Sequence, residues 1–264
     1  MNAQKDRLYK DVKFLTELRP YRTYLNLETL DEVCKYLKEE FTAAGLPVEE
    51  QKWMAWDNEY TNVIATYNKG KKKRLIIGAH YDVCGNQPGA DDNASAVAGL
   101  LETARLIARY QPDINYTIEF VAYCLEEPPF FETKNMGSYV HAKSLHDHKI
   151  DVIGMICYEM IGYFSDLPNS QPYPDDELTA LYPSTANFII VVGKEEGKAF
   201  NKKVKKLMST HSKVDVQLIS FPTEDGLAGM SDHLNYWHFG YKALMINDTA
   251  FFEKSELPPG IRHH

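Results

Sequence analysis

The sequence predicts an α/β fold, a single domain with a central, mostly parallel (mixed) sheet and helices on both faces. Three observations predict it. Short apolar runs alternate with amphipathic helical runs, the pattern of parallel strands joined by crossover helices. The length, 264 residues, is enough for one large domain with a substantial core. No internal repeat or linker divides the chain, so residues 1–264 read as one unit.

Leu8, Val12, Leu15 and Leu18 recur at helical spacing and stop at Pro20, which predicts an amphipathic helix near residues 5–18. A second helix is predicted from about Leu27 to Ala44, with Leu30, Val33, Leu37 and Phe41 on one face and Gly45 as its stop. These helices, within residues 1–45, are expected to pack on the rest. Val48 to Trp56 and Tyr60 to Tyr67 alternate as strands, and the lysines of Asn68 to Lys73 mark a solvated turn. Leu75-Ile76-Ile77 is the next strand. Asn93 to Arg109 reads as a helix whose small residues (Ala94, Ala96, Ala98, Gly99) allow close packing on the sheet.

Tyr116 to Leu125 and Val152 to Cys157 read as buried strands, with a helix from Met136 to His146 between them. His141, His146 and His148 have no acid partner at ligand spacing and are expected at the surface. Ser165 to Ser184 is rich in Pro, Tyr and Asp, a composition against helix or inner strand. It is expected either to wall a site or to be an ordinary surface excursion. Phe188 to Val192 is a strand, and Glu195 to Met208 a helix with Phe200, Val204 and Leu207 inward. Val214 to Ile219 is an alternating strand, Ser231 caps a short helix through Trp237, and Ala243 to Ile246 is the final strand.

Chemistry concentrates at three strand ends. Gly78-Ala79-His80-Tyr81-Asp82 follows the Leu75 strand, and Gly89-Ala90-Asp91-Asp92-Asn93 precedes a helix. Strand C-termini of α/β proteins open onto a crevice. His80 and Asp82, two residues apart on an extended chain, point the same way, so Asp82 could hold the second N–H of the His80 ring behind a metal. Asp92 is a second candidate oxygen ligand. A hydrated loop with incidental charges is the other reading of this run. The next strand ends in Glu126-Glu127, adjacent carboxylates that repel unless a cation or proton separates them. Glu159 ends the third. One shared hard-to-borderline metal suits all three strand ends.

Composition sets limits. A hydrophobic fraction of 44% and a charged fraction of 25% are those of an ordinary globular protein. The formal net charge of -8 argues against a nucleic-acid surface. Cys34, Cys84, Cys124 and Cys157 show no paired spacing, and buried thiols are expected for Cys124 and Cys157. Cys84 lies in the candidate ligand loop with a structural role expected. No stretch is apolar and long enough to span a membrane. The polar run Met1 to Arg7 lacks the apolar core of a signal peptide.

His-Tyr-Asp, Gly-Ala-Asp-Asp-Asn-Ala-Ser, Glu-Glu followed by Gly137-Ser138, Glu-Met-Ile-Gly-Tyr and Ser231-Asp232-His233 stand in this order. In order and spacing, from about Val48 to Phe252, they resemble the M28 family of co-catalytic zinc aminopeptidases. The resemblance implies a zinc-dependent aminopeptidase acting on peptide substrates, and a family whose members are often exported. It implies Asp92 as a carboxylate bridging two zinc ions, His80 and Glu159 completing one zinc, Glu127 on the other, Glu126 as general base and Asp82 orienting His80. Asp232 and His233 would stand behind the ligands or face substrate; a plain helix start is the alternative. Two other activities stay open: acyl transfer like that of glutaminyl-peptide cyclotransferases, which share a similar fold, and a non-catalytic domain. The pair His80 and Asp82 favours the peptidase over the cyclotransferase.

Two features depart from the family pattern. Glu159 stands where many members carry Asp. The family's last ligand is a His in Tyr-His-x-x-x-Asp-Thr soon after Thr-Ala-Phe-Phe, and here Thr249-Ala250-Phe251-Phe252 leads into an unrelated tail, residues 253–264. One permitted back-translation of that tail, read one nucleotide later, gives Lys-Asn-Pro-Asn-Tyr-His-Gln-Ala-Ser-Asp-Thr, which contains the motif. The expectation is a tail out of frame, one zinc or none in this chain, and impaired activity. A divergent natural tail or the start of a histidine tag are the alternatives.

Overall fold

Eight strands hydrogen-bond into one mixed sheet in the computed structural model, which describes residues 2–173, 176–248 and 250. The expectations for residues 253–264 lie outside these. The strands are β1 (Val48–Ala55), β2 (Asn58–Tyr67), β3 (Lys73–His80), β4 (Thr117–Tyr123), β5 (Asp151–Tyr158), β6 (Phe188–Lys194), β7 (Asp215–Phe221) and β8 (Ala243–Asn247). Their order is β1-β2-β4-β3-β5-β8-β6-β7. The central block β4-β3-β5-β8 is parallel throughout, as is the edge pair β6–β7. The β1–β2, β2–β4 and β6–β8 pairs are antiparallel.

The helices are α1 (Lys5–Glu17), α2 (Leu27–Ala43), α3 (Ala96–Tyr110), α4 (Gly137–Asp147), α5 (Asp176–Leu181), α6 (Lys198–His211) and α7 (His233–His238). Successive strand residues point to opposite faces, and this sorts the core into layers. Ile77 and Ala79 of β3 and Phe120 and Ala122 of β4 pack in one cluster with Val97, Leu100 and Leu101 of α3 and with residues of α1 and α2. Their neighbours Ile76, Val121 and Tyr123 face the other way, with Ala142 and Leu145 of α4 and Leu234, Tyr236 and Trp237 of α7. Helix α6 covers β6 and β7 through Val204, beside Val191 and Val216.

Buried polar pins fix the N-terminal helices. Arg105 Nη1 on α3 donates to Asp11 Oδ2 of α1 at 2.6 Å, and its Nη2 donates to Glu40 Oε2 of α2 at 2.6 Å. Tyr36 donates its hydroxyl to Asp11 Oδ1 at 2.5 Å. A buried carboxylate such as Asp11 is tolerable only when paired and hydrogen-bonded in this way.

Four expectations need correction. His141 is buried, with Nδ1 2.6 Å from the Tyr236 hydroxyl and Nε2 3.6 Å from Glu119 Oε2. The acid nearest to it, Glu119, comes from β4, which no local spacing reveals; His146 and His148 are exposed as expected. Within 165–184 the short helix α5 fits between prolines rather than being excluded by them. Leu207 remains 52% exposed while Val204 is buried. The helix expected from Asn93 becomes regular only at Ala96, because Asp92 and Asn93 leave helical φ/ψ in an irregular turn, Ala90–Ser95.

Burial lowers the pKa of His141 to about 3, with the Arg74 charge adding to the effect. The unfolded chain takes up this proton near 6.5, the ordinary value, and the folded ring only near 3. The stability that the neutral ring contributes is therefore fully present above about pH 6.5 and drains away as pH falls towards 3, by at most about 1.4 kcal/mol per pH unit. Urea midpoints measured from pH 7 down to 4 should fall less steeply in His141→Asn than in the parent protein. Equal slopes would show that the ring does not titrate this way.

Candidate metal centre

Parallel pairing of β4, β3 and β5 brings their C-terminal ends to one edge of the sheet. Tyr123 lies opposite His80, and Gly78 opposite Cys157, so the residues just beyond these strands meet. His80 is the last residue of β3, Glu126 and Glu127 follow β4, and Glu159 follows β5. His80 Nε2 lies 3.3 Å from Glu159 Oε2, 3.4 Å from Asp92 Oδ1 and 3.7 Å from Glu126 Oε2. Two sets of candidate ligand atoms lie within 4.8 Å of one another, His80–Glu126–Glu159 and His80–Asp92–Glu127. The structure thus brings together all five residues singled out at the strand ends and the following loop. His80 Nε2 lies within 3.4 Å of both Asp92 and Glu159, the three that the resemblance implies for one metal.

Hydrogen bonds hold these carboxylates from behind. Asp82 Oδ1 accepts the Glu126 amide at 3.2 Å and Oδ2 accepts the Glu127 amide at 3.1 Å. Its oxygens are thus engaged by the amides of the two glutamates, while His80 Nδ1 stands 3.5 Å from Oδ1 without forming a hydrogen bond. Glu127 Oε1 accepts the Cys84 amide at 3.0 Å. Glu159 Oε2 accepts from the Ser231 hydroxyl at 2.7 Å and from Asn93 Nδ2 at 3.2 Å. Ser231 therefore serves Glu159 and makes no side-chain cap for α7, a correction to the capping role expected of it. Leu125, just before Glu126, and Met160, just after Glu159, both have left-handed backbones, with φ 64 and 49. Such conformations cost non-glycine residues about 1–3 kcal/mol and persist where surroundings enforce them. Here the enforcers include Asn93 Oδ1, which accepts the Met160 amide at 3.0 Å, and Asn247 Nδ2, which donates to the Glu159 carbonyl at 2.9 Å.

The electrostatics are those of a crowded acidic site. Burial raises the pKa of Glu126 well above the usual range; His80 opposes this, and Glu159, Glu127 and Asp232 add to it. Burial also raises Glu127, to about 8, with Asp92 reinforcing it. Glu159 is raised by burial against the opposing charge of His80. For His80, burial disfavours the charged ring, but Glu159, Glu126, Asp82 and Asp92 outweigh it and raise the pKa well above 6.5. Asp232 is buried with neither carboxylate oxygen hydrogen-bonded among the described residues, and burial raises it to about 7. His233 points Nε2 at the Ala228 carbonyl, 2.7 Å away, and burial lowers its pKa to about 4. Neither Asp232 nor His233 belongs to the two close sets.

Acids that raise one another's proton affinity, with one imidazole aimed among them through Nε2, fit a divalent cation. The donor set of imidazole nitrogen and carboxylate oxygen suits zinc. Asp92, Glu126, Glu127 and Glu159 also line a cavity of about 400 Å³. Its remaining wall is largely apolar, with Met160, Ile190, Val192, Ile219, Phe221 and Met245 among the residues of the strands and loops around it. Tyr173, Leu178 and Tyr182 of the Pro-rich segment complete it, so that segment does wall the site.

Sequence reasoning missed three supporting residues. Arg22 is fully buried behind the loops, yet nothing in Arg19-Pro20-Tyr21-Arg22 signals burial. Asn93 lies in a quoted motif, and its position next to Asp92 was the available signal. Asn247 follows the last strand with no local mark of its bond to Glu159.

The model of peptidase family M28 matches residues 62–256. The uncharacterized protein YfbL of Escherichia coli (strain K12) is 39% identical over 97% of this chain and 80% of its own length. A probable leucine aminopeptidase of Trichophyton verrucosum is 26% identical over 95% of this chain. The chain spans 64% of that relative. Among solved structures, the LapA aminopeptidase of Legionella pneumophila superposes with a TM-score of 0.75 at 20% identity, covering 97% of this chain and 63% of that one. A glutaminyl cyclase of Porphyromonas gingivalis has a TM-score of 0.65 at 18% identity, covering 92% and 83%. At such identities the two structures share the fold.

Zinc added to metal-stripped protein should raise its unfolding temperature, and the rise should grow from about pH 6 to pH 8. Glu127, with its pKa raised to about 8, holds a proton that competes with the metal below that pH. A stabilisation that stays flat or shrinks over this interval would remove Glu127 from the ligand set.

Proposed function

The chain belongs to peptidase family M28, and on that premise we propose that it is a zinc-dependent aminopeptidase that removes N-terminal residues from peptides. The observation that carries this reading is the gathering of His80, Asp92, Glu126, Glu127 and Glu159 beside a largely apolar cavity. The zinc ligands in this reading are His80, Asp92, Glu127 and Glu159. Bound zinc supplies Lewis acidity, polarising the scissile carbonyl and lowering the pKa of a water molecule.

Glu126 is the general base. Its carboxylate takes a proton from water as the water oxygen bonds to the carbonyl carbon. It returns that proton to the amine nitrogen as the C–N bond breaks. Burial and acidic neighbours raise its proton affinity, which suits a group that must hold a proton between the two events. Asp82 fixes the backbone of Glu126 and Glu127 together through their amides. The cavity receives the first side chain of the peptide, and its wall of Met, Ile, Val and aromatic residues favours a large apolar one.

Of the four ligands in this reading, only His80 brings an imidazole nitrogen. Zinc favours a nitrogen ligand, so we assign at most one well-held zinc to the described residues. Elemental analysis checks this: two tightly held zinc ions per chain would contradict it.

The decisive assay compares hydrolysis of leucine anilide with cyclisation of an N-terminal Gln peptide, each with zinc and with chelator. Chelator-sensitive hydrolysis supports the peptidase. Cyclisation without hydrolysis would transfer the chain to the cyclotransferase reading, and zinc binding with neither activity to a binding domain. Glu126→Gln should keep its zinc and lose about 10²–10⁴-fold in turnover. Near-normal turnover in that variant would take the base role from Glu126. Leu or Phe at the substrate N-terminus should exceed Gly in kcat/KM by about 10- to 100-fold, the worth of about 1.5–3 kcal/mol of side-chain burial. A preference for charged residues would show that another surface receives the side chain.

A further inference from the structure

We propose that Arg22 is the positioning residue that sets the spacing between the His80 strand end and the Asp92 loop, by clamping carbonyls of both with one guanidinium. Arg22 has no exposed surface. Its Nε donates to the Tyr81 carbonyl at 2.7 Å, the residue directly after His80. Its Nη2 donates to the Gly89 carbonyl at 2.6 Å and its Nη1 to Pro88 at 2.5 Å, just ahead of the turn that carries Asp92. A second Nη1 bond, 2.9 Å to the Leu15 carbonyl, ties the group to α1. The strand end answers with the Val83 amide, which donates to the Arg22 carbonyl at 3.2 Å.

The loop is shaped to admit this group. Gly89 has φ 59, and a Cβ there would lie 2.9 Å from Arg22 Nη2 and collide with the Asp92 carbonyl. Every acceptor found for the guanidinium is a main-chain carbonyl, so its counter-charges are more distant, namely Asp82, Asp92 and Glu127. Arg22 thus does two things at once. It spans two segments with a rigid planar fork, and it sets a fixed positive charge behind acids that repel one another. Lysine offers a charge but only one nitrogen, which cannot bridge both segments as the fork does. The proposal rests on the metal reading of the site.

The test is zinc affinity, measured by competition with a chromophoric chelator, in the parent chain, Arg22→Lys and Arg22→Met, together with urea midpoints of the metal-free proteins. Arg22→Lys should fold and lose about 10- to 100-fold in zinc affinity, the usual effect of removing a group that orients metal ligands. Arg22→Met, which loses the charge as well, should lose more. Should the Met variant fail to fold, the Lys variant decides. A folded Arg22→Lys that binds zinc like the parent, with only its metal-free midpoint lowered, would show a purely structural role and overturn the proposal. A parent chain that binds no zinc would instead bring down the metal reading, and this proposal with it.

Discussion

Repulsion among buried carboxylates is the constraint on which this structure turns. Asp82, Glu126, Glu127 and Glu159 are buried and Asp92 is half-buried, all gathered around one imidazole at the edge of a parallel block. Like charges removed from water cannot all stay ionised unless hydrogen bonds, a proton or a cation compensates them. The protein supplies the hydrogen bonds itself, from the amides of Cys84, Glu126 and Glu127, from Asn93 and from Ser231. Arg22 adds a positive charge from behind the loops. What these donors leave over, the raised proton affinity of the three glutamates, is the electrostatic demand that a divalent cation meets.

The sheet exists in the form that allows this meeting. Parallel strands deliver their C-terminal ends to the same edge, which an antiparallel arrangement of β3, β4 and β5 would not do. The backbone then turns sharply at Leu125 and Met160, in conformations that those residues adopt only under constraint. At Met160 the enforcing bonds come from distant parts of the chain, Asn93 from the turn before α3 and Asn247 from the end of β8. Local strain at the acids is thus held in place by tertiary contacts, and the same contacts aim the acids.

The cavity beside the acids has a different origin. Residues of β6, β7 and β8 line it, as do Tyr173 and Tyr182 of the Pro-rich segment. Their hydroxyls are turned to main-chain carbonyls, Tyr173 to Pro183 and Tyr182 to Leu218. With those polar atoms satisfied, the rings present apolar faces, and charge is confined to the cluster of acids. The site therefore joins a charged edge built at the ends of β3, β4 and β5 to an apolar wall built by β6, β7 and β8.

The sequence by itself determined the class of fold, the order of its elements and the position of each acid relative to a strand end. Periodicity is local, and His80, Glu126 and Glu159 each follow an apolar run that needs no knowledge of its neighbours. It also placed Val204 in the core and the solvated turn at the lysines correctly. Tertiary structure alone decided the burial of His141, the partner of Ser231, the grouping of the acids and the place of Arg22. Each of these depends on a residue contributed by another strand, helix or loop: Glu119 and Tyr236 for His141, Glu159 for Ser231, the Tyr81 and Gly89 carbonyls for Arg22. Burial and pairing of a polar group arise from what the fold packs against it, and a pattern read along one segment carries no record of the surface that segment will meet.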